Sequence, residues 1–179
     1  MLYEYFYYND LYSSEECREL LELSNKNKNT SFVDIPAKGK NLNCTTAETD
    51  TYQGKLKKFF DTIEEANQLY FGMHLYSKHS RLINCNFYNP GQNYECHRDG
   101  SPLGAAYDTK LTAILNISTE PYTGGEFSLY FGKKVVEIKQ INKTGSFLVF
   151  PSFFYHEVNP IKTGQRITLS AWMIGPNWK

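Results

Sequence analysis

The sequence predicts a mainly β protein, a double-stranded β-helix (jelly roll) that is backed by N-terminal α-helices. Val, Ile, Phe and Tyr are concentrated after residue 80 in short apolar runs, and these residue types favour strands. Turn sequences rich in Gly, Asn and Lys separate the runs without an intervening helical pattern, which is typical of antiparallel sheets. Two segments before residue 80 instead have apolar residues at helical spacing.

The chain of 179 residues has the size of one domain with a full hydrophobic core. We expect a single domain over residues 1–179, with helical support in residues 1–80 and the jelly-roll core in residues 81–179. Lys plus Arg and Asp plus Glu both number 19, so bulk charge favours neither nucleic acid nor an anionic membrane as a partner. The N-terminus carries Glu4 and lacks the basic start of a signal peptide, so we expect a cytoplasmic protein without a membrane segment.

The first helix is predicted in "SSEECRELLELSN", residues 13–25. Ser13 and Glu16 have the spacing of a capping box, in which each residue's side chain accepts a hydrogen bond from the other's backbone N–H. Cys17 and Leu20 then begin one apolar face. The pattern indicates a short amphipathic helix.

The second helix is predicted from Leu56 to Tyr70, where apolar residues again recur at helical spacing, and Gly72 stands near its end. Residues 25–54, between the two helices, are rich in Asn, Lys, Thr and Gly. This composition predicts irregular or short extended structure, with a mobile flap as one interpretation.

Seven apolar runs after residue 80 predict the strands: "RLINCNFY", "LTAILNI", "EFSLYF", "KVVEI", "SFLVF", "HEV" and "RITLSAWMI". The paired glycines of "TGGEF", Thr123 to Phe127, indicate a close backbone approach at the entry to a core strand. Phe127 and Leu129 are expected to pack in the interior.

The tripeptide His97-Arg98-Asp99 occurs in two unrelated chemistries. A protein kinase catalytic loop requires an Asn five positions after the Asp, and Gly104 stands there. The chain also has no Asp-Phe-Gly after this loop and no glycine-rich loop of the kinase type before it. The kinase interpretation is therefore rejected.

Interpreted as His-x-Asp at the end of a strand, His97 and Asp99 project to the same side because strand side chains alternate. His156 lies in a second β-type segment near the end of the chain, which a jelly roll could bring alongside. Two His and one carboxylate form the facial triad that leaves open positions on ferrous iron for oxygen chemistry. A hydrogen-bonded His beside an Asp in a purely structural role is the alternative.

Arg166 follows His156 by ten residues, on the next predicted strand. Its guanidinium can bind a carboxylate with two parallel hydrogen bonds. Thr168, Ser170 and Trp172 share its face by alternation, which indicates a pocket wall with a cation, hydroxyls and an aromatic ring. A surface arginine paired across the sheet is the alternative for Arg166.

These segments resemble one known family. The stretches "YNPGQNYECHRD", "GGEFSLY" and "GSFLVFPSFFYHEVNPIKTGQRITLSAWM" are similar to the Fe(II)/2-oxoglutarate-dependent dioxygenases, specifically to their prolyl 4-hydroxylase-like branch. The resemblance runs from about residue 81 to residue 174, and the first predicted helix also resembles the N-terminal helix of that branch.

The resemblance implies a role for each candidate residue. His97, Asp99 and His156 would bind Fe(II), and Arg166 would pair with the distal carboxylate of 2-oxoglutarate. Tyr88 would donate a hydrogen bond to the same carboxylate. Two further residues would line the cosubstrate pocket, namely Ser170 and Trp172.

The implied activity is that of a dioxygenase that uses Fe(II), 2-oxoglutarate and dioxygen to hydroxylate an unactivated C–H bond, with ascorbate keeping the iron reduced. The first choice is a prolyl 4-hydroxylase that acts on a proline-containing protein or peptide. A hydroxylase of a free amino acid or other small metabolite is the alternative, as is a non-catalytic jelly-roll module that binds metal. Nucleic-acid demethylases of this superfamily carry a second Arg where Trp172 stands, so no nucleic-acid substrate is expected.

Overall fold

The computed structural model describes residues 3–26, 32–33, 39–76 and 82–178, with the backbone alone for 32–33. Within these residues the chain forms a seven-stranded sheet, a five-stranded sheet and a two-stranded sheet, in which every paired strand is antiparallel. The predicted jelly-roll class, mainly β with supporting helices, is confirmed.

Both predicted helices are present. α1 is Ser14–Lys26, and its capping box forms as expected: the Ser13 N–H donates to Glu16 Oε2 over 2.7 Å and the Glu16 N–H donates to Ser13 Oγ over 3.2 Å. α2 is Lys57–Ala66. It continues as one π-helical turn, Asn67–Phe71, before Gly72 ends it with a φ of 60°. Two short 3-10 turns are also present in the described part of the chain, Thr49–Tyr52 and Lys139–Asn142.

The strands in chain order are β1 (Phe6–Tyr8), β2 (Phe32–Val33), β3 (Lys40–Asn41), β4 (Asn43–Glu48), β5 (Leu82–Tyr88), β6 (Asn93–His97), β7 (Asp108–Asn116), β8 (Thr123–Gly124), β9 (Phe127–Phe131), β10 (Lys134–Glu137), β11 (Phe147–Pro151), β12 (Tyr155–Val158), β13 (Ile161–Thr163) and β14 (Arg166–Gly175). The major sheet has the order β1-β11-β7-β14-β5-β4-β2, and the minor sheet has the order β10-β9-β12-β6-β3. A separate pair joins β13 to β8. Each of the seven predicted runs overlaps one of these strands.

Two hydrophobic clusters divide the core. The first joins the helices to one face of the major sheet, with Leu20, Phe59 and Ile63 in the same cluster as Leu111 and Leu169. The second is built from inward side chains of both large sheets and includes both residues predicted to pack in the interior, Phe127 and Leu129. Because side chains alternate along a strand, the major sheet presents one face to the helices and the other to the interior of the jelly roll.

The sheets begin earlier in the chain than the predicted boundary at residue 81. β4 pairs with β5 along its whole length, from Asn43 opposite Phe87 to Glu48 opposite Leu82. Its sequence, "NCTTAE", has no apolar alternation because its inward residues meet polar partners, such as the Asn84 carboxamide that accepts from Thr46 Oγ1 over 2.8 Å. The expected flap lies partly outside the described residues.

No disulfide bond joins the four cysteines, of which Cys17 and Cys85 are buried. Among the described helices, none has the length and apolar character needed to cross a bilayer.

Gly145 is expected to be a site where alanine is poorly tolerated. Its φ is +78°, and an added Cβ would lie 1.8 Å from the carbonyl oxygen of Tyr12. Gly132 has a similar φ of +63° with no atom within 4 Å of an added Cβ, so Gly132→Ala isolates the backbone strain of about 1–2 kcal/mol. We predict that Gly145→Ala lowers the free energy of unfolding by clearly more than Gly132→Ala, as measured by urea denaturation. Equal decreases in the free energy of unfolding for the two variants would show that the close approach to Tyr12 does not add to the cost of the substitution.

Candidate metal centre

The two histidines of the predicted triad face each other across one strand pair. His156 on β12 is the direct register partner of His97 on β6. The ligand atoms of His97, Asp99 and His156 all lie within 4.8 Å of one another. The structure therefore brings the three predicted residues together at one point.

Asp99 has a support that the sequence did not reveal. It lies two residues beyond His97, the last residue of β6. Its backbone N–H donates to the Ser152 carbonyl over 3.2 Å, which ties the segment after β6 to the connection between β11 and β12.

Each histidine is oriented by the carbonyl two residues before it. His97 Nδ1 lies 2.8 Å from the Glu95 carbonyl oxygen, and His156 Nδ1 lies 3.1 Å from that of Phe154. Because a carbonyl can only accept, Nδ1 carries the proton and Nε2 keeps its lone pair. Both Nε2 atoms point at Asp99, at 3.8 Å from Oδ1 for His97 and 3.6 Å from Oδ2 for His156.

The carboxylate and one imidazole have further supports that the sequence did not reveal. Thr112 Oγ1 donates to Asp99 Oδ2 over 2.6 Å and lies 2.9 Å from Ser152 Oγ. The Tyr94 ring stacks on His97 with 3.7 Å between centroids. Thr112 was visible in the sequence as a hydroxyl inside the apolar run "LTAILNI", but its contact with Asp99 depends on the fold.

The electrostatic environment keeps the imidazole of His97 neutral. Burial, followed by the proximity of His156, lowers the pKa of His97 below its ordinary value. A neutral imidazole is the form that coordinates a metal. Burial, with a further contribution from the Asp99 charge, raises the pKa of Tyr94 to about 12, so its hydroxyl remains protonated.

Arg166 and Tyr88 line the same cavity and are cross-strand partners. Arg166 is 1% exposed, and within the described structure its Nε and Nη2 have no hydrogen-bond partner. Buried donors without acceptors are costly, and two adjacent guanidinium nitrogens match the two oxygens of a carboxylate. Burial raises the pKa of Tyr88 well above its ordinary range, so its hydroxyl stays available as a donor.

The cavity has a mostly polar lining. All seven candidate residues line it, and the additional polar lining residues are Lys40, Asn84, Asn86, Tyr94, Thr112 and Thr168. Asn86 Nδ2 donates to Ser170 Oγ over 3.0 Å. The apolar lining residues are Ile114, Phe127 and Val158. The sequence predicted the β14 part of the polar lining but missed the two asparagines of β5, which stand at alternate positions before Tyr88.

Gly125 makes room for the arginine. A Cβ on this residue would lie 2.4 Å from Ile161 Cδ1 and 3.1 Å from Arg166 Cδ. The preceding Gly124 would collide with the carbonyl oxygen of Pro160, at 2.5 Å. The close approach predicted from "TGGEF" is present, and it lets the Arg166 side chain pass into the cavity.

A family model described as the 2OG-Fe(II) oxygenase superfamily matches residues 83–174, which hold the triad, the arginine and most of both large sheets. The protein belongs to the 2OG-Fe(II) oxygenase superfamily. This membership confirms the predicted family and the expected cofactors Fe(II), 2-oxoglutarate and dioxygen. Which residues bind them remains a prediction supported by the geometry.

Among curated relatives, a PKHD-type hydroxylase of Aliarcobacter butzleri is 29% identical over 175 residues, which cover 92% of this chain and 75% of that protein. A PKHD-type hydroxylase of Crocosphaera subtropica is 30% identical over 109 residues, which cover 59% of this chain and 48% of that protein. The chain thus spans about half the length of several of the curated relatives it matches.

Two solved structures share the fold over nearly the whole chain. A viral collagen prolyl hydroxylase from Paramecium Bursaria Chlorella virus-1 matches with a TM-score of 0.74 at 18% identity, covering 97% of both chains. A Pseudomonas putida prolyl-4-hydroxylase matches with a TM-score of 0.75 at 16% identity, covering 97% of this chain and 94% of that one. At these identities the likeness establishes the fold.

Thr112→Val is expected to weaken metal binding. Valine keeps the shape but removes the hydroxyl that holds Asp99, and loss of such a support typically costs about 10- to 100-fold in metal affinity. Thr109→Val is the matched control, because Thr109 is a buried threonine of the same strand whose hydroxyl contacts Ser101 instead. Anaerobic Fe(II) titration of both variants measures the difference. Equal affinities would remove Thr112 from the support of the metal centre.

Proposed function

We propose that this protein is a 2-oxoglutarate- and Fe(II)-dependent dioxygenase that hydroxylates an unactivated C–H bond, acting as a prolyl 4-hydroxylase on a protein or peptide. One observation carries the proposal: a His-His-Asp cluster and a buried arginine with two unpartnered nitrogens line a single cavity. The first is a ligand set for ferrous iron, and the second is a receptor for a carboxylate.

The residues present fit both groups. His97 Nε2, His156 Nε2 and the Asp99 carboxylate converge, and three protein ligands leave other positions of an iron free. Arg166 and Tyr88, which line the same cavity, would hold the distal carboxylate of 2-oxoglutarate. When both are bound, iron and 2-oxoglutarate would supply the electrons that activate dioxygen for hydroxylation.

The chain's own contribution is binding, orientation and exclusion of water. Thr112 and Ser152 fix the carboxylate of Asp99, and the Glu95 and Phe154 carbonyls fix the proton position on each imidazole. Ile114, Phe127 and Val158 add apolar surface to the cavity. Apolar surface limits the access of water to the reacting centre.

Proline in a peptide or protein is supported as the target by the names of similar proteins. The solved neighbours include a prolyl hydroxylase in complex with a hypoxia inducible factor peptide fragment, as well as the collagen and Pseudomonas enzymes described above. A free amino acid or small metabolite as substrate remains the second candidate, because the same cavity chemistry would serve it. A cytoplasmic location also remains a prediction.

The direct test is succinate formation from 2-oxoglutarate by the purified protein with Fe(II) and ascorbate. We expect metal-dependent succinate from the wild type, with none from Asp99→Ala or His156→Ala because each removes a ligand. Asp61→Ala, which removes an exposed carboxylate of α2, should behave as the wild type. Absence of succinate, together with absence of 2-oxoglutarate binding to iron-loaded protein under nitrogen, would leave the non-catalytic metal-binding module as the better interpretation.

Arg166→Gln should raise the KM for 2-oxoglutarate by about 10- to 100-fold, because a charge-assisted hydrogen bond contributes about 1.5–3 kcal/mol. Arg18→Gln, on the exposed face of α1, is the control for a lost positive charge. Near-ultraviolet circular dichroism checks that the buried substitution leaves the packing intact. An unchanged KM would place the carboxylate receptor elsewhere.

A further inference from the structure

Phe153 and Trp178 form an aromatic corner on the protein surface, although they are far apart in sequence. Their rings meet edge to face, with centroids 5.7 Å apart and an interplanar angle of 77°. Phe153 remains 36% exposed and Trp178 remains 50% exposed. Two large rings are therefore fixed against each other with half of the indole surface still open to solvent.

The aromatic corner adjoins the metal centre on the side of Asp99. Phe153 directly follows Ser152, whose carbonyl accepts from the Asp99 N–H and whose hydroxyl contacts Thr112. Consecutive Cα atoms are about 3.8 Å apart. The Cα atom of Phe153 is therefore about 3.8 Å from that of Ser152, the residue whose carbonyl positions the candidate ligand Asp99. Neither Phe153 nor Trp178 lines the cavity itself.

Contacts with neighbouring residues hold the Trp178 indole in place. Lys110, which is only 4% exposed, places its Nζ 3.3 Å from the centroid of the Trp178 ring, a short cation–π contact. The backbone N–H of Trp178 donates to Asp108 Oδ2 over 2.6 Å, and Asn177 Nδ2 donates to the Ala105 carbonyl over 3.3 Å. These contacts fix the ring before any ligand arrives, which reduces the entropy lost on binding.

The position of the aromatic corner distinguishes between kinds of substrate. A small molecule confined to the cavity would not reach it, because the corner lies outside the cavity lining. An extended peptide advances about 3.1–3.4 Å per residue, so a chain with its target residue at the metal centre would extend beyond the cavity, where the corner is available to a neighbouring residue. Aromatic-lined surfaces recognise proline-containing extended segments, since these are already stiff and present apolar rings.

We propose that the aromatic corner binds a proline or other apolar residue next to the target residue of an extended peptide, so that the substrate is a peptide or protein segment. This inference rests on the proposed function and narrows its substrate class. It assigns Phe153 and Trp178 to substrate specificity and Lys110 to the positioning of the indole. A free amino acid, the competing class of substrate, would not contact the aromatic corner.

The test is calorimetric titration of the protein, loaded with Fe(II) and 2-oxoglutarate under nitrogen, with decaproline and with free L-proline. Decaproline should bind the wild type, and free L-proline at the same residue concentration should not. Phe153→Ala and Trp178→Leu should each raise the Kd for decaproline by about ten-fold. Tyr8→Ala is the matched control, because Tyr8 is 52% exposed and pairs with Phe147 at the opposite end of β11, and its Kd should equal that of the wild type.

Several outcomes would overturn the inference. They are failure of decaproline to bind, equal binding of free L-proline, or an unchanged Kd in both corner variants. A change from dimer to monomer in the Trp178→Leu variant, measured by sedimentation, would assign the corner to self-association and also overturn it. Using two variants guards against a folding defect in one of them.

The proposed function and this inference can be disproved by separate experiments. Succinate formation by the wild type without peptide tests the iron and 2-oxoglutarate chemistry, whereas the titration measures binding without turnover. A protein that forms succinate but does not bind decaproline keeps the oxygenase assignment and loses the aromatic corner as a peptide subsite.

Discussion

The pairing of β14 with both β5 and β7 is the constraint on which the rest of the structure depends. This ten-residue strand is paired along most of its length, and its side chains alternate between the helices and the cavity. Leu169 and Ala171 complete the core under the helices, while Arg166 and Trp172 line the cavity. A shift of one residue would exchange the two sets, which would bury polar groups among the helices and close the site.

The candidate site is assembled mainly by backbone groups and short local contacts. Each imidazole is oriented by a carbonyl of its own chain segment, and Asp99 is held by a carbonyl on the β11–β12 connection. Backbone groups occupy fixed places once the sheets are formed, so little side-chain freedom remains to be lost when a ligand binds. The buried charge of Arg166 is the exception, because its full complement of partners is not supplied by the described residues.

The sequence revealed what depends on residue type and order along the chain. The alternation and spacing of residues are visible in the sequence alone. They were sufficient to recognise two helices, seven strand runs, the His-x-Asp pair, His156 and Arg166. β4 could not be recognised, since its side chains face polar partners and show no apolar pattern. The contacts of Thr112 with Asp99 and of Lys110 with Trp178 depend on strand register and on a long-range return of the chain, and neither leaves a trace in local sequence.

The pairing of His97 opposite His156 also bears on the cooperativity of the minor sheet. Among the described strands, β6 and β3 join this sheet through β12 alone, and the two imidazoles stand at that junction. An ion bound by both would act as a cross-link between β6 and β12, and its binding free energy would add to the stability of the pair, by about 2.7 kcal/mol at a concentration one hundred times the Kd. Metal binding would thereby stabilise the attachment of β6 and β3 to β12. The iron concentration would then affect the thermodynamic stability of this part of the minor sheet as well as the proposed activity.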